Sequence, residues 1–271
     1  DIVTPNGFEN SITPSSDEEY CARHDKARKK LVEVATAMSA EAVPENSIFI
    51  GIGGRYEYRN KGIDVFLDAL DKINTSAFEG RSIQAFIMIP SGNNGPDREL
   101  AAKLSGSGND HYQTQTSHYL MNPEYDIITR RLGELKFNNA IGDKVKVYFI
   151  PSYLNGNDGI FNMTYYDLVL GNDLCIYPSY YEPWGYTPLE AVAFKVPCIT
   201  TDLAGFGLWA NTVFGKYGEI EDGVKVIHRT DYNYSEVADA IKDTVAAFSG
   251  FTKKQVEEAR KKADELSKKA L

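Results

Sequence analysis

Six short runs of this chain are nearly continuous in apolar residues: Ile48–Ile52, Ile83–Ile89, Val145–Ile150, Leu174–Tyr177, Val196–Thr200 and Val224–His228. A strand with one face in water alternates apolar and polar residues, so unbroken apolar runs of this length predict strands buried on both faces. Between them the apolar spacing lengthens to that of a helix, over Lys61–Asn74, Glu124–Phe137, Thr164–Leu170, Thr187–Phe194, Gly205–Val213 and Ser235–Phe248. Units alternating in this way predict an α/β fold, a doubly wound, Rossmann-like parallel sheet with helices on both faces. Ligands of such sheets sit at the carboxyl ends of the strands, so the chemistry is to be sought there.

The flanking segments are read less sharply. Ile2 and Val3 run straight into Thr4-Pro5-Asn6-Gly7, which reads as a strand end followed by a turn and as the start of a fragment. Ser15-Ser16-Asp17 offers helix-capping side chains before Glu18–Ser39, where Tyr20, His24, Ala27, Leu31, Val34 and Met38 recur at helical spacing. Residues 1–46 are therefore expected as a hinge and linker helix, and 47–271 as the Rossmann-like domain. Between Ser91 and Met121 Gly, Ser, Asn, Asp and Gln predominate, so 91–121 is expected as a long polar loop. Thr252–Leu271, with seven Lys or Arg against four Asp or Glu, is expected as a solvated helix rather than a polymer-binding patch.

Composition narrows the function. A net charge of −9 over 271 residues makes nucleic acid and anionic membranes unlikely partners, yet a few local cations and backbone amides still suffice for a small phosphorylated ligand. No stretch approaches the ~18–20 apolar residues of a membrane span, and no leader pattern opens the chain. Cys21, Cys175 and Cys198 are widely spaced and odd in number, which reads as buried thiols of a reducing compartment and places the protein in the cytoplasm. His24, His111, His118 and His228 show no metal-ligand spacing, so no metal is expected.

Two motifs carry chemistry. Gly51-Ile52-Gly53-Gly54-Arg55 follows the first strand, but Tyr56 stands where the third glycine of a dinucleotide fingerprint belongs, which argues against a nicotinamide cofactor. Arg55 and Lys61, at a strand's carboxyl end, suit a diphosphate, Arg as a planar fork and Lys as a point charge. Surface ion pairs with Glu57 or Asp64 are the plain alternative. The second motif is Pro178-Ser179-Tyr180-Tyr181-Glu182-Pro183-Trp184-Gly185-Tyr186-Thr187-Pro188-Leu189-Glu190. With Pro188 at the first helical position and Thr187 as the cap, the amides of Gly185, Tyr186 and Thr187 would form an anion site. Glu182 and Glu190 beside it make most sense as acceptors for sugar and ribose hydroxyls.

The stretches FIGIGGRYEYRNKGIDVFLDAL, TRRLGELKFNNAIGDKVKVYFIP and LCIYPSYYEPWGYTPLEAVAFKVPCITTDLAGFG resemble the C-terminal domain of glycogen synthases of the animal and fungal type. These are retaining glycosyltransferases of the two-Rossmann-domain GT-B architecture, and the resemblance runs from about Val3 to Leu271. It implies that the chain is the nucleotide-sugar-binding, C-terminal half of an enzyme moving glucose from UDP-glucose or ADP-glucose to the 4-hydroxyl of an α-1,4-glucan. No metal or cofactor is implied. The glucan would be gripped by a missing N-terminal domain, leaving this half inactive alone. By resemblance Arg55, Lys61 and Glu182 are the catalytic residues: the two cations neutralise the donor diphosphate and Glu182 lies near the reacting carbon. Gly54, Gly185, Tyr186 and Thr187 then cradle the donor, Trp184 lines its glucose, Glu190 holds the ribose and Tyr165 stacks on the base. The shortened 91–121 region and the absence of an arginine cluster before Leu271 depart from the eukaryotic pattern and suggest a simpler, bacterial enzyme. A non-catalytic nucleotide- or glucan-binding module, and a glycosyltransferase of the sucrose- or trehalose-synthase kind, are the alternatives.

Overall fold

The structure, a computed structural model, describes residues 8–270. The expected strand end and turn fall on residues 1–7, outside the described residues. In chain order the elements are α1 (Asp17–Met38), β1 (Ile48–Gly53), α2 (Ile63–Thr75), β2 (Ile83–Met88), β3 (Asn93–Pro96), α3 (Arg98–Leu104), β4 (His118–Leu120), α4 (Ile127–Glu134), β5 (Val145–Phe149), α5 (Tyr165–Leu170), β6 (Leu174–Ile176), α6 (Tyr186–Ala193), β7 (Cys198–Thr201), α7 (Gly205–Phe214), β8 (Val224–Ile227), α8 (Tyr234–Ser249) and α9 (Lys253–Ser267).

All six expected strands pair in parallel, in the order β5-β2-β1-β6-β7-β8. The chain winds outward from β1 through β2 to β5, then returns to β6 and winds the other way, which is the doubly wound Rossmann order. Side chains alternate across the sheet. Phe49, Phe86, Tyr148 and Cys175 pack with α1, α5, α6 and α9, whereas Ile48, Ile50 and Ile52 pack with α2, α4 and α8. The winding reverses between β1 and β6. These two share only the pairs Ile50↔Leu174 and Gly51↔Cys175, while β1 pairs with β2 from Ile48 to Gly53. The strands therefore part above that short contact and leave a crevice at their carboxyl ends.

Several elements differ from expectation for identifiable reasons. Helix α1, expected as a linker, buries Ala27, Leu31, Val34, Ala35 and Met38 in the core. Segment 91–121 is ordered as β3, α3 and β4, the two strands pairing antiparallel. Several of its polar residues are buried and bonded within the fold, among them Asp97, Ser117 and His118. Asp97, 3% exposed, caps α3 through Leu100 N–H and accepts from Tyr112 Oη, and buried His118 Nε2 lies 2.8 Å from the Asp158 carbonyl. The helix expected over 124–137 is interrupted because Asp126 restarts it, its carboxylate accepting Thr129 N–H at 2.8 Å. Helix α9 is not merely solvated. It buries Ala259, Ala263 and Leu266, and Arg260 donates to Tyr20 Oη at 2.7 Å and to the Asn172 carbonyl at 2.9 Å. Cys175 and Cys198 are buried and register with one another on β6 and β7, but Cys21 on α1 is exposed, contrary to expectation. Among the described residues no helix is long and apolar enough to cross a membrane.

The amino ends of β1 and β6 are tied by one carboxylate. Asp173 accepts Phe49 N–H at 2.9 Å and Arg28 Nη2 at 2.5 Å, and Arg260 Nη2 lies 3.5 Å away. Burial alone raises such a carboxyl, but Arg28 and Arg260 outweigh it and hold Asp173 below the ordinary range. A depressed carboxyl stabilises the fold above its unfolded pKa and loses that contribution as pH falls through the folded one. Asp173→Asn is therefore expected to cost roughly 3 kcal/mol at neutral pH, with the deficit narrowing in acid, as measured by urea unfolding across pH.

Candidate functional site

Two loops meet over the crevice. The β1–α2 loop carries Gly54, Arg55 and Lys61, and the β6–α6 loop carries Ser179, Glu182, Trp184 and Gly185. They are stitched by backbone: Tyr180 N–H donates to the Asn60 carbonyl at 2.8 Å. Gly62 has φ 69° and sits where a Cβ would come 2.1 Å from the Pro178 carbonyl oxygen, so no other residue fits.

This stitching brings two of the expected catalytic residues into direct contact. Lys61 Nζ donates to both carboxylate oxygens of Glu182, at 2.7 and 2.6 Å, and the two side chains are only 8% and 15% exposed. Ser179 Oγ donates to the same carboxylate at 3.3 Å. The Glu182 backbone is pinned as well, its N–H on the Leu203 carbonyl and its carbonyl accepting Gly205 N–H. An ammonium has three donors and the carboxylate takes two, leaving one for a ligand. Arg55, by contrast, is not brought in. Its side chain is 77% exposed and pairs with Glu57 at 3.0 Å, the plain alternative weighed from the sequence. A guanidinium at an exposed turn takes the nearest carboxylate, and such a pair is worth at most about 1 kcal/mol, so Arg55 remains free to swing toward an anion.

Helix α6 begins two residues earlier than the expected Thr187 cap implies. Gly185 is its cap with φ 108°, a conformation L side chains avoid, and Tyr186 and Thr187 open the first turn while Pro188 falls third. The Tyr186 and Thr187 amides have no acceptor within the helix and point out of its positive end. Glu190 lies one turn on, with Tyr166 Oη donating to it at 3.2 Å. Burial raises its pKa, opposed by that hydrogen bond and by the charge of Lys61. Tyr165 lies across the end of β1, where a Cβ on Gly53 would come 2.5 Å from its ring. Together with Gly54 and Thr187 it lines an open cavity of about 240 Å³ that Tyr153, Leu154 and Asn155 also border. Trp184 is 8% exposed, with its ring 6.1 Å from Phe206 and 5.9 Å from Trp209, and these aromatics brace it within the turn.

Sequence reasoning missed Ser179, Tyr166 and the loop at 153–155. Ser179 stands three residues before Glu182 and Tyr166 directly follows Tyr165, so both were adjacent to named residues. The 153–155 loop follows a strand next to β2, and only the strand order brings it to the crevice.

A family model for glycogen synthase matches residues 1–103 and 104–270. The chain belongs to the glycogen synthase family. Similar curated proteins include glycogen [starch] synthase isoform 2 of Saccharomyces cerevisiae, 26% identical over 82% of this chain and 40% of the yeast protein. The Neurospora crassa glycogen [starch] synthase is 24% identical over 98% of this chain and 46% of its own length, and the human liver protein 27% over 76% and 37%. The chain thus spans less than half the length of these glycogen synthases. Among solved structures, WaaG, a glycosyltransferase involved in lipopolysaccharide biosynthesis, aligns with a TM-score of 0.49 at 15% identity over 98% of this chain and 54% of that one.

A carboxyl with a raised folded pKa binds more protons folded than unfolded, so its charge destabilises the fold as pH rises. Glu190→Gln keeps a partner for Tyr166 and removes that charge. It is expected to raise the melting temperature by about 2–4 °C at pH 7 and not at all at pH 4, as checked by calorimetry at the two pH values.

Proposed function

We propose that this chain is the donor-binding part of a retaining glycosyltransferase that moves glucose from UDP-glucose or ADP-glucose to the 4-hydroxyl of an α-1,4-glucan. The observation that carries the reading is the buried Lys61–Glu182 pair beside the first-turn amides of α6, at the mouth of the reversal-point crevice. A nucleoside diphosphate laid there meets the remaining Lys61 donor and the Tyr186 and Thr187 amides. Arg55 closes on it from the turn tip. In the reaction the bond from the glucose anomeric carbon to the diphosphate oxygen breaks. A bond to the acceptor oxygen forms on the same face, and the acceptor proton passes to the departing phosphate. The cations and amides neutralise charge as it develops on the leaving group. Glu182, held by Lys61, presents its carboxylate to the glucose, Glu190 takes the ribose hydroxyls, and Tyr165 flanks the base.

Membership of the glycogen synthase family supports a nucleotide-sugar donor and a glucan acceptor. It also disfavours a non-catalytic module, since Lys61, Glu182 and Glu190 stand together at one crevice. The acceptor hydroxyl is expected from surfaces outside residues 1–271. One open half cannot supply the proximity and orientation that account for roughly 7–11 kcal/mol of barrier lowering.

Titration calorimetry with UDP and ADP tests the site, beside a radiolabelled transfer assay. Arg55→Ala and Lys61→Ala are each expected to weaken nucleotide binding by about 1.5–3 kcal/mol. Only Lys61→Ala should also destabilise the fold, by roughly 3–5 kcal/mol, because it strands the Glu182 carboxylate. Unchanged dissociation constants in both variants would falsify the donor site. Transfer to glycogen by this chain within tenfold of a full-length relative's rate would overturn the half-enzyme reading.

A further inference from the structure

The two stitched loops also wall a second cleft, of about 660 Å³, that none of the donor-site residues lines. Its charges do not balance. Arg59, Arg131 and Arg229 stand against Asp64 and Asp68, an excess of one positive charge in a chain whose net charge is −9. Arg131 and Asp68 cancel each other: Arg131 Nη2 and Nε donate to Asp68 Oδ1 at 2.7 and 3.2 Å, and Tyr234 Oη donates to Oδ2 at 2.9 Å. Asp64 Oδ1 accepts Val65 N–H at 2.8 Å, and among the described residues no cation comes within ion-pair distance of its carboxylate. The excess therefore lies with Arg59 and Arg229.

Arg229 follows β8 and is 4% exposed. Its Nη1 donates to the Pro178 carbonyl, while Nε and Nη2 make no hydrogen bond within the protein. They are not sealed in either. Among the described residues the buried side-chain polar atoms without a partner are Arg28 Nε, Asn172 Oδ1, Trp184 Nε1 and Thr200 Oγ1, so the free edge of Arg229 reaches open space, and the cleft is the space that Arg229 lines. An Nε–Nη2 edge is the planar fork that Arg131 already turns on a carboxylate. Burial depresses the pKa of Arg229, with Asp64 opposing, as befits a guanidinium held without a counter-ion in contact. Arg59, on the β1–α2 loop, is exposed, and its side chain makes no ion pair among the described residues.

The rest of the lining is aromatic. Tyr58 comes from the β1–α2 loop, Tyr180 from the β6–α6 loop and Tyr234 from the start of α8, and Arg229 lies 5.3 Å from the centre of the Tyr180 ring. Burial pushes the Tyr58 hydroxyl up to about 12, so it stays a neutral donor. A phosphate dianion would more than cancel the excess charge and set a second negative charge against Asp64, whereas a neutral ligand would leave Arg229 desolvated without a counter-charge. One carboxylate on a flat apolar body meets both demands. Its two oxygens match the free Arg229 edge, Arg59 and the Tyr58 hydroxyl supply further donors, and the body packs among the tyrosine rings.

We propose that this cleft is a binding site for a small aromatic monocarboxylate, apart from the donor crevice. The inference goes beyond the donor-site reading and needs neither nucleotide nor sugar.

The test is a two-dimensional amide NMR titration of the 271-residue chain at fixed ionic strength, with benzoate as the probe, benzamide as its neutral isostere and inorganic phosphate as the plain anion, repeated with UDP saturating. Benzoate at millimolar concentration is expected to move the Arg59, Tyr180, Arg229 and Tyr234 resonances with UDP present or absent, while benzamide and phosphate at the same concentration do not. The exposed change Arg59→Gln should weaken benzoate about fivefold. Asp64→Asn keeps an acceptor for Val65 N–H and removes the opposing charge, so it should tighten benzoate by a similar factor. The proposal is overturned by an absence of shifts, by equal shifts with benzamide, by phosphate moving these resonances in its place, by displacement of benzoate with UDP, or by wild-type affinity in either variant. Failure of the donor site reads differently, as loss of UDP binding with the benzoate shifts intact. The wild-type shift map needs no variant to fold.

Discussion

The Lys61–Glu182 ion pair is the contact on which the crevice depends. Removing an ammonium and a carboxylate from water costs several kcal/mol each, and only close two-point contact with further hydrogen bonds recovers it. Here the contact is bidentate and Ser179 adds a bond. Such a pair contributes little net stability while it is intact, yet breaking it strands a buried charge. It therefore acts less as glue than as a constraint: the two loops hold one relative position because every other position leaves a charge unpaired. The tight fit of Gly62 under Pro178 and the Tyr180–Asn60 hydrogen bond enforce the same geometry through the backbone.

The sheet was legible because strands buried on both faces carry their burial in composition. All six runs lie within one or two residues of the observed strands, and the reversal point follows from their order. The helices over 61–74, 187–194, 205–213 and 235–248 were legible for a related reason, each having one apolar face toward that sheet. The polar excursion at 91–121 was not. Its order comes from hydrogen bonds between groups far apart in sequence, such as His118 to Asp158, and polar residues that are satisfied inside a fold look in sequence like polar residues in water.

At the site, residue types were legible and their partners were not. Glycines and charges next to strand ends marked Gly54, Lys61, Glu182 and Glu190. Nothing in the sequence says that Lys61 reaches Glu182 while Arg55, six residues earlier, turns to Glu57. Side-chain direction at a loop depends on what the second loop presents, and that is known only once the strands are in register. Trp184 illustrates the same limit, since an aromatic beside a glycine-rich turn can face the ligand or brace the turn. Phe206 and Trp209, which brace it, come from a helix that the sequence does not place beside it. Gly185, at φ 108°, moved the helix start by two residues because it tolerates a backbone shape that a Thr cap does not need.

The brief pairing of β1 with β6 has a consequence of its own. Only two residue pairs join these strands, and β6 itself is three residues long. The crevice is thus opened by strand length, and the side chains that line it stand on two loops whose spacing is fixed by Gly62 under Pro178 and by Lys61 on Glu182. Crevice side chains that take no part in those contacts can change while the hydrogen-bonded frame beneath stays whole. A scaffold built this way concentrates the demands of folding on a few loop residues and leaves the others open to selection by the ligand.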